Sequence, residues 1–247
     1  MEVEKQVQQA ATLIARLRAE DTDFRVFGAE SHRYRLGSTL SEEELRAFET
    51  RHQIELPPDY RLYLKTVGNG NGNPLPYVTS GAGPYYGIYR VEETVMGDRT
   101  SEPFPFDQQA EIEGDLMDLW DENIPGLLEL GTQGCAGTMH LVVNGTTYGT
   151  IWEADSRSTF WPTNLSFTEW ICDWAQRCIP RVIQERVTNP VQVGMSLKEV
   201  EAICGNQGQR PYSVDTLYRR ILRFEGLATQ FELDERDVVI RIIRHSI

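Results

Sequence analysis

Apolar residues recur at helical spacing in three stretches of the first 70 residues. The first predicts an amphipathic opening helix with the apolar residues Val3, Val7, Ala10, Ile14 and Leu17. A second helix is predicted to begin at Ser41, because Ser41 and Glu44 form a capping box, and to end near His52. Pro57-Pro58 opens a third helix, because proline fits the first helical turn, and Gly68 follows its end. The apolar face of this helix holds Tyr60, Tyr63, Leu64 and Val67.

The middle of the chain is patterned for strands rather than helices. Residues 68–84 are rich in Gly, Asn and Pro and are predicted to be irregular. Strands are predicted at residues 85–91, 127–130, 139–143 and 146–152. Asn144-Gly145 separates the last two strands and predicts a type I′ hairpin, because this dipeptide tolerates positive φ at both turn positions.

The clearest helical pattern follows a second capping box, Ser166 to Glu169. Its apolar positions are Phe167, Trp170, Ile171, Trp174, Ala175 and Cys178. Pro180 is expected to mark the end of this helix, because proline lacks the N–H that a helix interior needs.

The last part of the chain has a different character, with eight basic and eight acidic residues after position 186. A third capping box, Ser196 to Glu199, begins a helix that Gly205 stops. Strands are then predicted at residues 217–224, 227–233 and 238–243. We therefore expect an α+β protein with a mostly antiparallel sheet flanked by helices. Its predicted domains are residues 1–186 and a small α-β-β-β module at 187–247.

Composition narrows the class of partner. The 247 residues include 24 basic and 37 acidic side chains, for a formal net charge of −13. Nucleic acid is a poor partner for such a chain, because binding phosphates requires a surplus of Lys and Arg. A basic protein partner fits this balance, and so does a charge that only maintains solubility.

Residues 92–122, the acidic segment, hold most of this charge: eleven acidic side chains and only one basic, Arg99. The candidate partner-binding residues are Asp107, Glu111, Glu113, Asp115, Asp118, Trp120, Asp121 and Glu122. A divalent-metal site and a plain solvated face are the alternatives. The apolar residues of the segment are either partner anchors or core: Phe104, Phe106, Met117, Leu119 and Trp120.

Catalytic and metal-binding motifs are missing from the sequence, including HExxH, GxSxG and zinc-ligand spacings of its four cysteines. The sequence around Cys135 superficially resembles a caspase nucleophile motif, but its second residue differs and no suitably spaced upstream histidine exists. His140 is close to Cys135 but falls inside a predicted strand. We therefore expect no enzyme activity, no cofactor and no metal. No segment has the roughly 18–20 apolar residues of a membrane span, so we expect a cytoplasmic protein with reduced cysteines.

Several motifs in order resemble the SUKH superfamily. They are Leu-Ser-Glu-Glu-Glu-Leu at 40–45, Ile-Glu-Leu-Pro-Pro-Asp-Tyr at 54–60, Leu-Lys-Thr-Val-Gly-Asn-Gly at 64–70, Gly-Thr-Gln-Gly-Cys-Ala-Gly at 131–137 and Ser-Phe-Thr-Glu-Trp-Ile at 166–171. The resemblance covers about residues 38–179. It implies an α+β sheet flanked by helices and no shared catalytic residues. The chain departs from the pattern in its long acidic segment and its C-terminal module.

The superfamily includes fungal cell-wall synthesis regulators and many bacterial immunity proteins. The resemblance thus implies a non-enzymatic cytosolic immunity protein that binds and neutralises a toxin domain, such as a basic nuclease. The alternative is a regulatory scaffold without a toxin partner. The sequence leaves the toxin and the oligomeric state open.

Overall fold

A computed structural model describes residues 2–70, 81–95, 97–111, 124–134, 137–155, 157, 159–188, 191–205, 211–216, 219–224 and 229–244. Its α-helices are α1 (Glu2–Glu20), α2 (Ala29–His32), α3 (Glu42–His52), α4 (Pro58–Thr66), α5 (Phe167–Thr188) and α6 (Leu197–Gly205). The first five strands are β1 (Ala110–Glu111), β2 (Leu127–Thr132), β3 (Gly137–Val142), β4 (Thr150–Asp155) and β5 (Thr159–Ser166). The last four strands are β6 (Pro211–Thr216), β7 (Arg219–Phe224), β8 (Thr229–Leu233) and β9 (Val239–Arg244).

The predicted helix starts are confirmed by their hydrogen bonds. At α3, the Ser41 N–H donates to Glu44 Oε2 at 2.8 Å and the Glu44 N–H donates to Ser41 Oγ at 3.2 Å. The same reciprocal pair of bonds is present at the starts of α5 and α6. α3 ends at His52 and α4 begins at Pro58, as predicted.

Helix α5 does not end at Pro180, which corrects the sequence prediction. The helix continues to Thr188 with Pro180 in its interior. Ile179 and Val182, on either side of the proline, are 3% and 2% exposed and belong to the main core. Proline removes one backbone hydrogen bond, and burial of this apolar face offsets the loss.

Strands β1 to β5 form one antiparallel sheet in the order β1-β5-β4-β3-β2. β2 contains the buried strand predicted at residues 127–130. β3 and β4 form the predicted hairpin, in which Leu141 pairs with Ile151. The connection spans residues 143–149, however, and is not a two-residue turn at Asn144-Gly145.

The strand predicted at residues 85–91 is not formed. Tyr85 and Gly87 have φ angles of 53° and 96°, which break an extended conformation. Only an isolated bridge between Gly81 and Ile88 remains, and a 3₁₀ turn follows at Val91–Glu93. The sequence showed the bulky residues of this stretch. It did not indicate that the backbone of Tyr85 is left-handed.

The main core lies between the helices and the inner face of this sheet. The sheet contributes Leu128, Leu130, Met139, Leu141 and Ile151, and all five are buried. Helices contribute Ile14, Leu17, Leu45, Tyr60, Leu64, Phe167, Trp170 and Ile171, among others. The α+β fold with an antiparallel sheet flanked by helices is therefore confirmed.

The C-terminal module has a sheet and a core of its own. β6 to β9 form a four-stranded antiparallel sheet in chain order. Its buried residues are Val191, Val200, Phe231, Leu233 and Val239. The three predicted strands are present, and β6 is an additional strand whose sequence, with Pro, Ser and Asp, gave little strand signal. The boundary at residue 186 stays a prediction, and α5 extends two residues beyond it.

A buried carboxylate joins helices α4 and α5. Asp59, which is 6% exposed, lies in the first turn of α4. Its Oδ2 accepts hydrogen bonds from the N–H and the hydroxyl of Thr168 at 2.9 and 3.0 Å, and so caps the start of α5. Beside this contact, Tyr60 and Tyr63 pack on the ring of Phe167, with centroid distances of 4.6 and 4.9 Å.

Replacing Asp59 with Ala is expected to lower the free energy of unfolding by about 1–3 kcal/mol, because two donors of Thr168 would be left buried without an acceptor. Asp59→Asn should have a smaller effect, since its amide oxygen still accepts. Urea denaturation followed by tryptophan fluorescence would measure both. The control is Asp107→Ala at an exposed position. An Asp59→Ala variant as stable as this control would contradict the assignment.

Candidate functional site

The predicted partner-binding residues divide into two groups. Asp107 and Glu111 are described by the structure, and both are exposed. Glu111 belongs to the edge strand β1, where it pairs with Thr159. The others lie outside the described residues: Glu113, Asp115, Asp118, Trp120, Asp121 and Glu122. The grouping of the whole set into one surface therefore stays a prediction.

The early part of the acidic segment is fixed to the loop of the β3–β4 hairpin. The Asn144 side-chain amide donates to the Ser101 carbonyl at 2.6 Å. The Phe104 N–H donates to the Asn144 carbonyl at 2.9 Å, and Phe104 bridges to Gly145. Asn144 and Gly145 thus anchor the early part of the acidic segment. They do not form the predicted tight turn.

Aromatic packing on the outer face of the sheet reinforces this attachment. Phe104 is 3% exposed, and its ring lies 4.9 Å from Trp152 and 5.4 Å from Phe106. The outer cluster comprises Phe104, Leu127, Val142, Trp152, Ala154 and Phe160, with Phe106 and Ile124 packed against it. Phe104 is therefore a core residue and is not exposed to a partner. Tyr60 and Trp152 are likewise fully buried.

Some carboxylates of the acidic segment are already engaged. Glu102 pairs with Arg99 at 2.8 Å, which holds the pKa of Glu102 below its usual value. Glu92 pairs with Arg90 at 3.4 Å and accepts from the Asn69 amide at 3.0 Å. Within the described part of the chain, no ion pair involves Asp107 or Glu111. Asp107 and Glu111 are therefore exposed carboxylates that a partner could contact.

Sequence reasoning missed a buried polar pair on the outer face. Glu129 of β2 and His140 of β3 lie opposite each other in the ladder and are 5% and 7% exposed. The Thr138 hydroxyl lies 2.8 Å from His140 Nε2, and the His140 ring packs 5.4 Å from Phe160. Glu129 Oε2 and His140 Nδ1 have no hydrogen-bond partner in the described structure. The available signal was a glutamate inside the apolar run at residues 127–130.

Burial shifts both members of this pair toward their neutral forms. It raises the pKa of Glu129 to about 7 and lowers the pKa of His140 to about 4. His140 is therefore neutral at pH 7, and the pKa of Glu129 is raised toward that pH. The pair therefore places two buried polar side chains on the outer face of the sheet.

The described structure gives no support for a catalytic thiol at Cys135. Cys135 lies outside the described residues, and His140 is buried inside β3, as the sequence predicted. Among the residues that the structure describes, no group of three or more His, Cys, Asp or Glu side chains is arranged to hold a metal ion. In the same part of the chain, no helix combines the length and apolar character needed to cross a membrane.

Comparison with known proteins gives one match. The model of the SMI1 / KNR4 family (SUKH-1) matches residues 39–173, which is more than half of the chain. The matched region runs from just before α3 into α5 and includes the five-stranded sheet. No curated protein and no solved structure gives a significant match.

We expect Glu129→Gln to stabilise the protein more at pH 8 than at pH 5. The folded-state pKa of Glu129 is raised from 4.5 to about 7, so its ionisation opposes folding increasingly as the pH rises through this window. The variant should gain up to about 3 kcal/mol of unfolding free energy at pH 8 and much less at pH 5. Urea denaturation of variant and wild type at both pH values measures this.

Glu93→Gln, which removes an exposed carboxylate from the neighbouring 3₁₀ turn, is the matched control. An equal effect of Glu129→Gln at the two pH values would contradict the burial-induced shift.

Proposed function

Because the chain belongs to the SMI1 / KNR4 family (SUKH-1), we propose that it acts by binding a protein partner, and that this partner is a basic toxin domain that it neutralises in the cytoplasm. The family consists generally of non-catalytic immunity or regulatory proteins. The observation that carries the proposal is the early part of the acidic segment, which is attached to the outer face of the sheet and has Asp107 and Glu111 exposed.

Electrostatics supports a cationic partner. The chain has a formal net charge of −13, and the acidic segment alone contributes ten more acidic than basic side chains. Such a local excess of carboxylates attracts a basic protein and raises its rate of association by orders of magnitude at low ionic strength. Asp107 and Glu111 are exposed members of this excess.

The attachment of the acidic segment supports binding rather than only solubility. A segment that only kept the protein soluble would need no anchoring. The early part of this segment is attached to the hairpin loop through Asn144 and to the outer cluster through Phe104. Anchoring reduces the entropy that is lost when carboxylates meet a partner, which strengthens binding. If the toxin is a nuclease, carboxylates held in this way would occupy the cleft where phosphates otherwise bind.

A regulatory scaffold is the second candidate, because the matched family is associated with SMI1 / KNR4 regulators as well as with immunity proteins. The two candidates differ in the genes they require. A toxin gene beside this one favours the immunity protein, whereas a scaffold needs no such neighbour. Both work without a catalytic residue.

The test is charge reversal at the two described carboxylates, Asp107→Lys with Glu111→Lys. The probe is a catalytically inactive form of the toxin domain encoded next to the gene. Association should slow by about tenfold or more at low salt, and the difference should shrink as salt screens the charges. Stopped-flow association at several salt concentrations, with a growth-protection assay, provides the readout.

A matched control is Glu201→Lys with Glu235→Lys, which changes the net charge equally at exposed positions of the C-terminal module. Equal slowing by both double variants would mean that only net charge matters. Unchanged binding and protection in the Asp107/Glu111 variant would overturn the role of these two residues. The triple reversal Asp115→Lys, Asp118→Lys and Asp121→Lys then tests the remaining acidic segment in the same assays.

A further inference from the structure

Arg25 places a buried charge between the main domain and the C-terminal module. It lies in the loop between α1 and α2, and its side chain is 2% exposed. One guanidinium nitrogen donates to the Val191 carbonyl at 2.6 Å and lies 3.1 Å from Asp23 Oδ2. The guanidinium Nε also reaches Asp23 Oδ2, at 3.4 Å. Arg25 therefore ties the N-terminal loop to the first described residue after α5.

The loop that carries Arg25 is itself rigidly built around Asp21, which is 1% exposed. The Asp21 carboxylate accepts hydrogen bonds from the backbone N–H groups of Arg25 and Val26. It also accepts from the Tyr34 hydroxyl at 2.6 Å. Burial and the Asp21 charge raise the pKa of Tyr34 well above its usual value, so this hydroxyl stays a donor. Asp21 thus fixes the backbone of Arg25, and Asp23 of the same loop contacts its guanidinium.

Both ends of the Arg25 contact lie outside the family match. Arg25 precedes the matched residues 39–173, and Val191 follows them. Val191 belongs to the core of the C-terminal module, which is separate from the main core. In the described part of the chain, no helix or strand of the module packs extensively against one of the main domain. The loop therefore supplies an attachment that the family domain does not.

We infer that the loop formed by residues 21–26 is an intramolecular docking site for the C-terminal module, and that Arg25 holds the module there. Arginine suits this role because its planar fork reaches an aspartate and a carbonyl at once. The contact is shielded from solvent, so salt screens it far less than an exposed ion pair. Loss of Arg25 frees the module to move while the main domain, with its own core, stays folded.

The experiment compares full-length Arg25→Ala with Arg46→Ala, which removes a 73% exposed arginine from α3. Small-angle X-ray scattering should give a larger radius of gyration for Arg25→Ala only. Limited proteolysis with mass spectrometry should show cleavage between α5 and α6 about tenfold faster or more, because cleavage follows the population of the open form. Both differences should persist at high salt.

Two further variants keep the test decisive if Arg25→Ala fails to fold. Asp23→Asn removes the charge partner but leaves the guanidinium and the Val191 carbonyl. Arg25→Lys keeps a charge that cannot reach both acceptors equally well, so both variants should release the module partially. Circular dichroism reports whether the main domain stays folded. Unchanged scattering and cleavage in folded Arg25 variants, or cleavage that rises equally in Arg46→Ala, would overturn the proposal.

Discussion

The carboxylate of Asp59 organises the helical layer, because it joins two helices whose contact residues are 109 positions apart in sequence. It lies in the first turn of α4 and caps α5, so one side chain couples the two helices. The aromatic contacts of Tyr60 and Tyr63 with Phe167 follow directly from this alignment. α1 then packs across both helices, and the combined apolar surface covers the inner face of the sheet. The position of the sheet is thus set by a polar contact as well as by its apolar core.

The outer face of the sheet is built differently from the inner face. The inner face packs against helices, whereas the outer face forms a small cluster with Phe104 and Phe106 from the acidic segment. Among the residues that the structure describes, Glu129 Oε2 and His140 Nδ1 are buried at this face and have no hydrogen-bond partner. Such groups reduce stability.

Local patterns allowed the sequence to predict much of this fold, and non-local contacts explain what it could not predict. Capping boxes and helical periodicity located α3, α4 and the start of α5, because both signals act within a few residues. The end of α5 depends on burial of Ile179 and Val182 by distant segments, which no local rule for Pro180 contains. The acidic segment was visible from its composition. Its attachment through Asn144 could not be predicted, because an Asn-Gly dipeptide looks the same in sequence whether it forms a tight turn or anchors another segment.

The bond from Arg25 to the Val191 carbonyl also bears on how the protein could change over evolution. A main-chain carbonyl is present whatever residue occupies position 191, so the contact places no demand on side-chain identity there. If recombination joined a different C-terminal module to the same helix, Arg25 could donate a hydrogen bond to a main-chain carbonyl of that module as well. The family domain would then acquire new appended parts without redesigning its surface, and only the N-terminal loop would need to be preserved.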